Sequence, residues 1–260
     1  MSSRDIEKFK PTERFSDRVR NYKRFRPDYP RAVIELLRTE TGLAPASQVA
    51  DIGCGTGLLA RLFLEEGCVV YGVEPNRAMR EAGEEELARY SNFISVEGSA
   101  EATTLADESV DYVVAGQAFH WFDVPRARGE LRRVLRTGGW AVLVWNNRRT
   151  ETTPFLRAYE DFLRRFGTDY EQVSMKYAHE ESLREFFEGD YRFARFDHRQ
   201  LFDFEGLRGR SLSASYMPGE DAPQFAPMLE RLREIFDEHQ NNQQVSFDYD
   251  TLVYYGQIKS

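Results

Sequence analysis

Apolar positions change their period repeatedly along this 260-residue chain. Ala32, Val33, Leu36 and Leu37 recur at helical spacing and stop at Gly42, with Pro30 expected at the first helical position. Residues 49 to 52 form a short run of the kind buried in a parallel sheet, apolar but for Asp51. Leu58, Leu59, Leu62 and Phe63 then mark one face of a helix that Gly67 stops. The alternation continues with a strand over 68–73, a helix capped by Asn76, and strands over 93–96 and 109–115. A helix over 124–135, a turn at Gly138-Gly139 and a strand over 140–145 complete it. Strand and helix in alternation with short links predict an α/β, doubly wound and mostly parallel sheet. Ligands of such sheets bind beyond the carboxyl ends of the strands.

After Arg149 the pattern shifts. Phe155, Tyr159, Phe162 and Phe166, then Leu183, Phe186 and Phe187, keep helical spacing. Residues 191–204 alternate like a strand, 205–216 and 225–239 read as helices, and 245–258 as a last strand. The expected whole is a seven-stranded sheet with a helical insertion after strand five. Four segments follow: an arm over 1–30, an α/β core over 31–149, an insertion or cap over 150–242 that includes strand six, and a last strand over 243–260. The arm carries Phe9, Phe15, Tyr22, Phe25 and Tyr29; it either packs on the domain edge or closes as a lid.

Charge and composition narrow the function classes. A net charge of −8 and a pI of about 5.3 argue against a dedicated nucleic-acid or anionic-membrane binder. Two cysteines, Cys54 and Cys68, are too few for a disulfide framework or a cysteine zinc site, so a reducing, cytoplasmic setting is expected. The first ten residues are polar and charged, unlike a secretory signal. No run approaches the roughly 18 apolar residues of a membrane span. The four histidines show no metal-ligand spacing, and His179, His198 and His239 read as ordinary surface or core residues.

The densest chemistry lies at Asp51-Ile52-Gly53-Cys54-Gly55-Thr56-Gly57. Glycine permits positive φ and close backbone approach, and the helix start offers free N–H groups to a ligand. A nicotinamide cofactor wants G-x-G-x-x-G, and here Gly53, Gly55 and Gly57 fall one residue short. Asp51 would repel a pyrophosphate and suits a ligand carrying an ammonium group and no phosphate, such as S-adenosylmethionine. Glu74 ends the second strand, where it suits two ribose hydroxyls of either cofactor.

These residues resemble motif I of the class I S-adenosylmethionine-dependent methyltransferases. Glu74 is similar to that family's second-strand acid, Gly98-Ser99-Ala100-Glu101 to its adenine segment, and residues 111–114 and 131–139 to its fourth strand and the approach to its fifth. Ala118-Phe119-His120-Trp121-Phe122, Tyr29-Pro30 and Ser213-Ala214-Ser215-Tyr216 resemble the small-molecule branch that includes trans-aconitate methyltransferase. The resemblance implies a Rossmann-like methyltransferase fold. It implies that Asp51, Gly53 and Gly55 line the methionine moiety, Glu74 holds ribose, Ala100 and the Glu101 side chain flank adenine, and the Gln117 backbone faces the sulfonium. Tyr22, Arg26, Cys54, Gly57, Pro75, Met79 and Ser99 complete the expected cofactor set.

For the acceptor, Tyr29, Phe119, Trp121, Trp145, Asn147, Arg148 and Tyr216 are the expected pocket. Arg148 or Arg149 would clamp a carboxylate. His120 is the candidate general base; the alternative is that it only hydrogen-bonds substrate or packs against Trp121. The function expected is methyl transfer to a small molecule, a carboxylate or a hydroxyl, by a monomer or homodimer. A non-catalytic S-adenosylmethionine-binding partner, a macromolecular target and a nicotinamide oxidoreductase are the rivals.

Overall fold

The computed structural model describes residues 25–168, 170, 180–214 and 216–259. The expectations for Tyr22 and the rest of the arm up to residue 24, for His179 and for Ser215 lie outside the described residues.

Seven strands form one sheet in the order β3-β2-β1-β4-β5-β7-β6. Helix α1 (Ala32–Thr41) precedes β1 (Gln48–Ile52), α2 (Leu58–Glu65), β2 (Val69–Val73), α3 (Arg77–Leu87), β3 (Phe93–Val96) and β4 (Val110–Gly116). A 3-10 turn (Phe119–Trp121), α4 (Val124–Val134) and β5 (Leu135–Arg148) follow. Then come α5 (Pro154–Phe166), α6 (Glu180–Phe187), β6 (Arg192–Phe202), α7 (Phe204–Leu212), α8 (Phe225–His239) and β7 (Val245–Gly256). The five strands from β1 to β5 pair in parallel; β7 runs antiparallel to both β5 and β6. The order reverses between β1 and β4, so the switch-point crevice opens above Ile52 and Gly116.

Local chemistry sets the element ends. Gly42 takes the left-handed φ of 76° that closes α1. The Asn76 side chain accepts the Met79 N–H at 3.0 Å, and Thr153 and Asp203 cap α5 and α7 in the same way. Arg31, not Pro30, occupies the cap position of α1. Strand β5 also departs from expectation, starting at Leu135 rather than at residue 140. Leu135 pairs with Val110, and the register then jumps to Tyr112 opposite Trp140. Gly138, at φ 80°, lets the extra residues loop out without ending the strand.

Three apolar clusters fill the molecule. One packs α1 and α2 on a face of the sheet through Val33, Ile34, Leu37, Leu59 and Phe63. The second packs α4 and α6 on the opposite face through Leu131, Val134, Phe186 and Phe187. The third joins α5, α7 and α8 to the long ends of β6 and β7 through Leu156, Tyr159, Leu163, Leu207, Leu232, Phe236, Phe202 and Phe247. Each such side chain contributes about 1.5–3 kcal/mol on burial, so the residues after 150 are welded to β7 as one layer. That layer overhangs the carboxyl ends of β4 and β5.

Candidate functional site

The glycine loop leaves β1 as a chain of left-handed residues: φ is 69° at Gly53, 56° at Gly55 and 82° at Gly57. A Cβ on Gly53 would lie 2.8 Å from Ala118 Cβ, so that position has no room for a side chain. The Gly53 and Cys54 amides donate to Val73 O, tying the loop to the end of β2. Glu74 completes the tie: Oε2 accepts the Gly55 N–H at 2.9 Å and Oε1 the Asn76 N–H at 2.8 Å. Desolvation raises the Glu74 carboxyl above its usual range, and these two amides offset part of that. Burial pushes the Cys54 thiol well up, which disfavours the thiolate.

Asp51 lies beneath this loop, 1% exposed. Neither carboxylate oxygen has a hydrogen-bond partner, nor does the buried Thr56 hydroxyl of the loop. Desolvation lifts the Asp51 carboxyl to about 7; the Ala60 amide, which faces it without closing a hydrogen bond, offsets part of the rise, and Glu74 adds to it. Two orphaned acceptors under a half-buried glycine loop fit a ligand that presents an ammonium group. They do not fit a pyrophosphate. The Met79 side chain lies against Gly55 of the same loop, Ala100 is buried, Pro75 is exposed, and Ser99 Oγ accepts the Glu101 N–H at 3.3 Å.

Beyond β4, Gln117 is held at φ 56°, a strained conformation for a side-chain-bearing residue. Its N–H donates to Val144 O and its Nε2 to Asn146 O, both at 2.9 Å, while its buried Oε1 has no partner. Gln117 forms one wall of a cavity of about 330 Å³, together with Leu58, Tyr29, Asn146, Asn147, Arg148, Glu160, Tyr170, Arg210, Tyr216 and Tyr249. Residues 26–29 strap across it. Asn146 Nδ2 donates to Asp28 O at 2.8 Å, and His198 Nε2 lies 3.1 Å from Asp28 Oδ1. Arg26 Nη2 donates to Ser213 O at 3.3 Å. Contact with His198 holds the Asp28 carboxyl below its usual range. The Tyr29 ring covers Gly116, where a Cβ would meet its hydroxyl at 2.5 Å.

Of the expected acceptor residues, Tyr29, Asn147, Arg148 and Tyr216 line this cavity. Phe119 and Trp145 do not. They are 2% and 1% exposed and pack edge-to-face on each other, on Phe186 and on Tyr254, in the apolar cluster on the far side of the sheet. His120 and Trp121 sit outside the lining with ring centroids 4.9 Å apart. One oxygen of the Glu101 carboxylate, Oε1, accepts the Asp123 N–H at 2.9 Å at the start of α4. Arg149 pairs with Asp250 at 2.7 Å and with Asp197, and so leaves the acceptor side. Arg148 is committed in part: Nη2 lies 2.5 Å from Glu160 and 3.1 Å from the Tyr170 hydroxyl, and its Cζ sits 5.1 Å from the Tyr159 ring. Its buried Nη1 has no partner.

The pattern of residues alone missed Glu160, Tyr170, Arg210 and Tyr249. The clue to Arg210 was available: Gly206, Gly209, Ser211 and Ser213 are small residues that let α7 approach closely. A Cβ on Gly209 would collide with the Phe25 ring.

A broader depression of about 930 Å³ lies at the amino ends of β4 and β5, among Glu108, Arg132, Arg136, Gly138 and Lys259. It is remote from the glycine loop, and three of its four arginines are neutralised: Arg128 by Glu188, Arg133 by Glu130 and Arg136 by Asp111. The chemistry therefore belongs to the smaller cavity at the carboxyl ends.

Comparison with known proteins bears on this site. Residues 50–143 match the methyltransferase domain family described as Methyltransf_11. The uncharacterized methyltransferase Rv3342 of Mycobacterium tuberculosis is 40% identical over 134 residues, 52% of this chain and 52% of that protein. The chain thus spans about half the length of the first curated relatives it matches. The uncharacterized methyltransferase-like C25B8.10 of Schizosaccharomyces pombe is 28% identical over 245 residues, 92% of this chain and 93% of that one. Among solved structures, a putative type II methyltransferase from Anaeromyxobacter dehalogenans aligns with a TM-score of 0.62 at 22% identity, covering 90% of this chain and 98% of the other. At that identity the likeness is one of fold.

Proposed function

We propose that this chain, whose residues 50–143 match a methyltransferase domain, is a class I S-adenosylmethionine-dependent methyltransferase that moves a methyl group to a small-molecule acceptor seated in the cavity beside Gln117. The observation that carries the reading is the pair of unpartnered Asp51 oxygens under the glycine loop. When bound, S-adenosylmethionine supplies a methyl group already activated by a positive sulfur.

The chain's own residues then have positioning to do. Asp51 accepts the ammonium group, and the backbone of residues 53–57 follows the methionine portion. Glu74 holds the loop shut with two amides and keeps lone pairs for ribose hydroxyls. Gln117 stands at the boundary between this cradle and the acceptor cavity, its backbone fixed from β5. Tyr29, Asn147, Arg148 and Tyr216 fix the acceptor. Such positioning supplies roughly 7–11 kcal/mol of a barrier when two reactants are held in line. No histidine lines the cavity among the described residues. A nucleophile that is already ionised, a carboxylate above all, suits that wall; a hydroxyl acceptor needs a base brought from elsewhere.

We place the activity in the cytoplasm, where Cys54 and Cys68 stay as thiols. No helix among the described residues is long and apolar enough to cross a membrane.

The test has two arms. S-adenosylhomocysteine should raise the melting temperature, because a ligand of the folded state alone stabilises it. NAD should not, and stabilisation by NAD alone ends the reading. A radiolabelled-methyl screen over carboxylic acids, phenols and amines then seeks the acceptor. Tight cofactor binding with no acceptor methylated would favour a non-catalytic binding protein.

A further inference from the structure

Arg148 and Arg210 both line the acceptor cavity, and among the described residues its one lining carboxylate is Glu160. Glu160 is already committed, to Arg148 at 2.5 Å, Arg164 at 3.4 Å and the Tyr170 hydroxyl at 2.7 Å. Arg210 projects from α7 and is 8% exposed. Among the described residues no carboxylate pairs with its guanidinium, and its buried Nε has no hydrogen-bond partner. The groups around it are the phenols of Tyr249, Tyr159 and Tyr216.

A guanidinium cannot shed its proton to escape burial, and a buried charge without a counter-ion is strongly unfavourable. Arg148 lines the same cavity, and its buried Nη1 is a second donor with no partner. The Nε edge of a guanidinium receives a carboxylate side-on through two parallel hydrogen bonds. The cavity, at about 330 Å³, has the size of a small-ligand site.

We propose that the acceptor is a small organic acid whose carboxylate docks on Arg210, with Arg148 Nη1 as a second donor, so that Arg210 selects anionic acceptors over neutral ones. This rests on the methyltransferase reading of the site.

The test uses the full chain saturated with S-adenosylhomocysteine. Succinate, benzoate, their neutral amides and inorganic phosphate are titrated by calorimetry into wild type, Arg210→Met and Arg210→Lys. At least one acid should bind wild type tenfold or more tighter than its amide. R210M should lose about 30-fold or more of that affinity, the size of effect seen when one partner of a buried charge pair is removed. It should keep wild-type affinity for the amide and for S-adenosylhomocysteine. R210K, which retains the charge without the fork, should recover part of the loss and covers the case in which R210M does not fold. A purely structural Arg210 predicts instead that ligand-free R210M melts below wild type while acid affinity is unchanged, and that result overturns the proposal. Equal affinity for acid and amide overturns it, as does binding of phosphate in preference to both acids. If S-adenosylhomocysteine binds and no acid does, the substrate class falls alone; if S-adenosylhomocysteine does not bind, the methyltransferase reading falls first.

Discussion

Asp51→Asn separates two consequences of one buried carboxylate. In the ligand-free fold, burial raises the Asp51 carboxyl to about 7, against about 3.9 in an unfolded chain. The folded state therefore holds that proton more tightly than the unfolded state. Ligand-free stability falls as pH rises from about 4 to about 7 and stays level above. Three pK steps at about 1.36 kcal/mol each put the cost of the ionised group at about 4 kcal/mol above pH 7. Asparagine removes the charge but leaves a buried amide with unmet hydrogen bonds, a penalty of about 1–3 kcal/mol. Ligand-free D51N should thus be more stable than wild type by about 1–3 kcal/mol at pH 8, and the advantage should vanish by about pH 5. Denaturant titrations across that range measure it.

Binding runs the other way. An ammonium ligand needs the ionised carboxylate, so wild-type affinity for S-adenosylhomocysteine should fall about tenfold between pH 8 and pH 6. D51N should bind weakly and with no pH dependence over that window. A wild-type affinity that is flat from pH 6 to 8, or a D51N that is less stable at pH 8, would refute the reasoning.

Three further outcomes are expected. Gly53→Ala places a Cβ 2.8 Å from Ala118 Cβ at φ 69°; it should cost about 1–3 kcal/mol of stability and at least tenfold in S-adenosylhomocysteine affinity by calorimetry, and unchanged affinity would count against the cradle. Trp145→Ala should lower stability by about 3–5 kcal/mol with no selective rise in acceptor KM, as befits a core residue; an unchanged melting temperature with a raised KM would return Trp145 to the pocket. Glu160→Gln strips the Arg148 guanidinium of its carboxylate and should destabilise by about 3–5 kcal/mol in chemical denaturation; a loss below about 1 kcal/mol would mean that the pair is solvated.

The cofactor half was legible in the sequence because its signals are local. Asp51, three spaced glycines and Glu74 belong to consecutive turns of chain, and positive φ at Gly53, Gly55 and Gly57 is written in the residue type. The acceptor half was only partly legible. Strand β5 is buried on both faces from Ala141 to Asn146, so its apolar run hides which residues face the cavity. Trp145 was drawn into the expected pocket for that reason, while Asn146, one residue on, is the one that lines it. Glu160 and Arg210 escaped notice because their partners are remote: Arg148 finds Glu160 through a helix that packs on β7, and the small residues around 210 signal a close helix approach without naming what it encloses. Helix boundaries, set by Asn76, Asp203 and Gly42, are again local and readable.

The position of β7 between β5 and β6 has a kinetic consequence. During synthesis β6 emerges before β7, its neighbour in the sheet, and has no strand to pair with until residues 245–256 follow. The strap has the same dependence, since its fastenings to Asn146, His198 and Ser213 span 118, 170 and 187 positions respectively. Contacts of such sequence separation form late and slowly. The β1–β4 region with its glycine loop can therefore assemble well before any acceptor cavity exists. A nascent or partly opened chain would hold the methyl donor's cradle before it could present an acceptor to it.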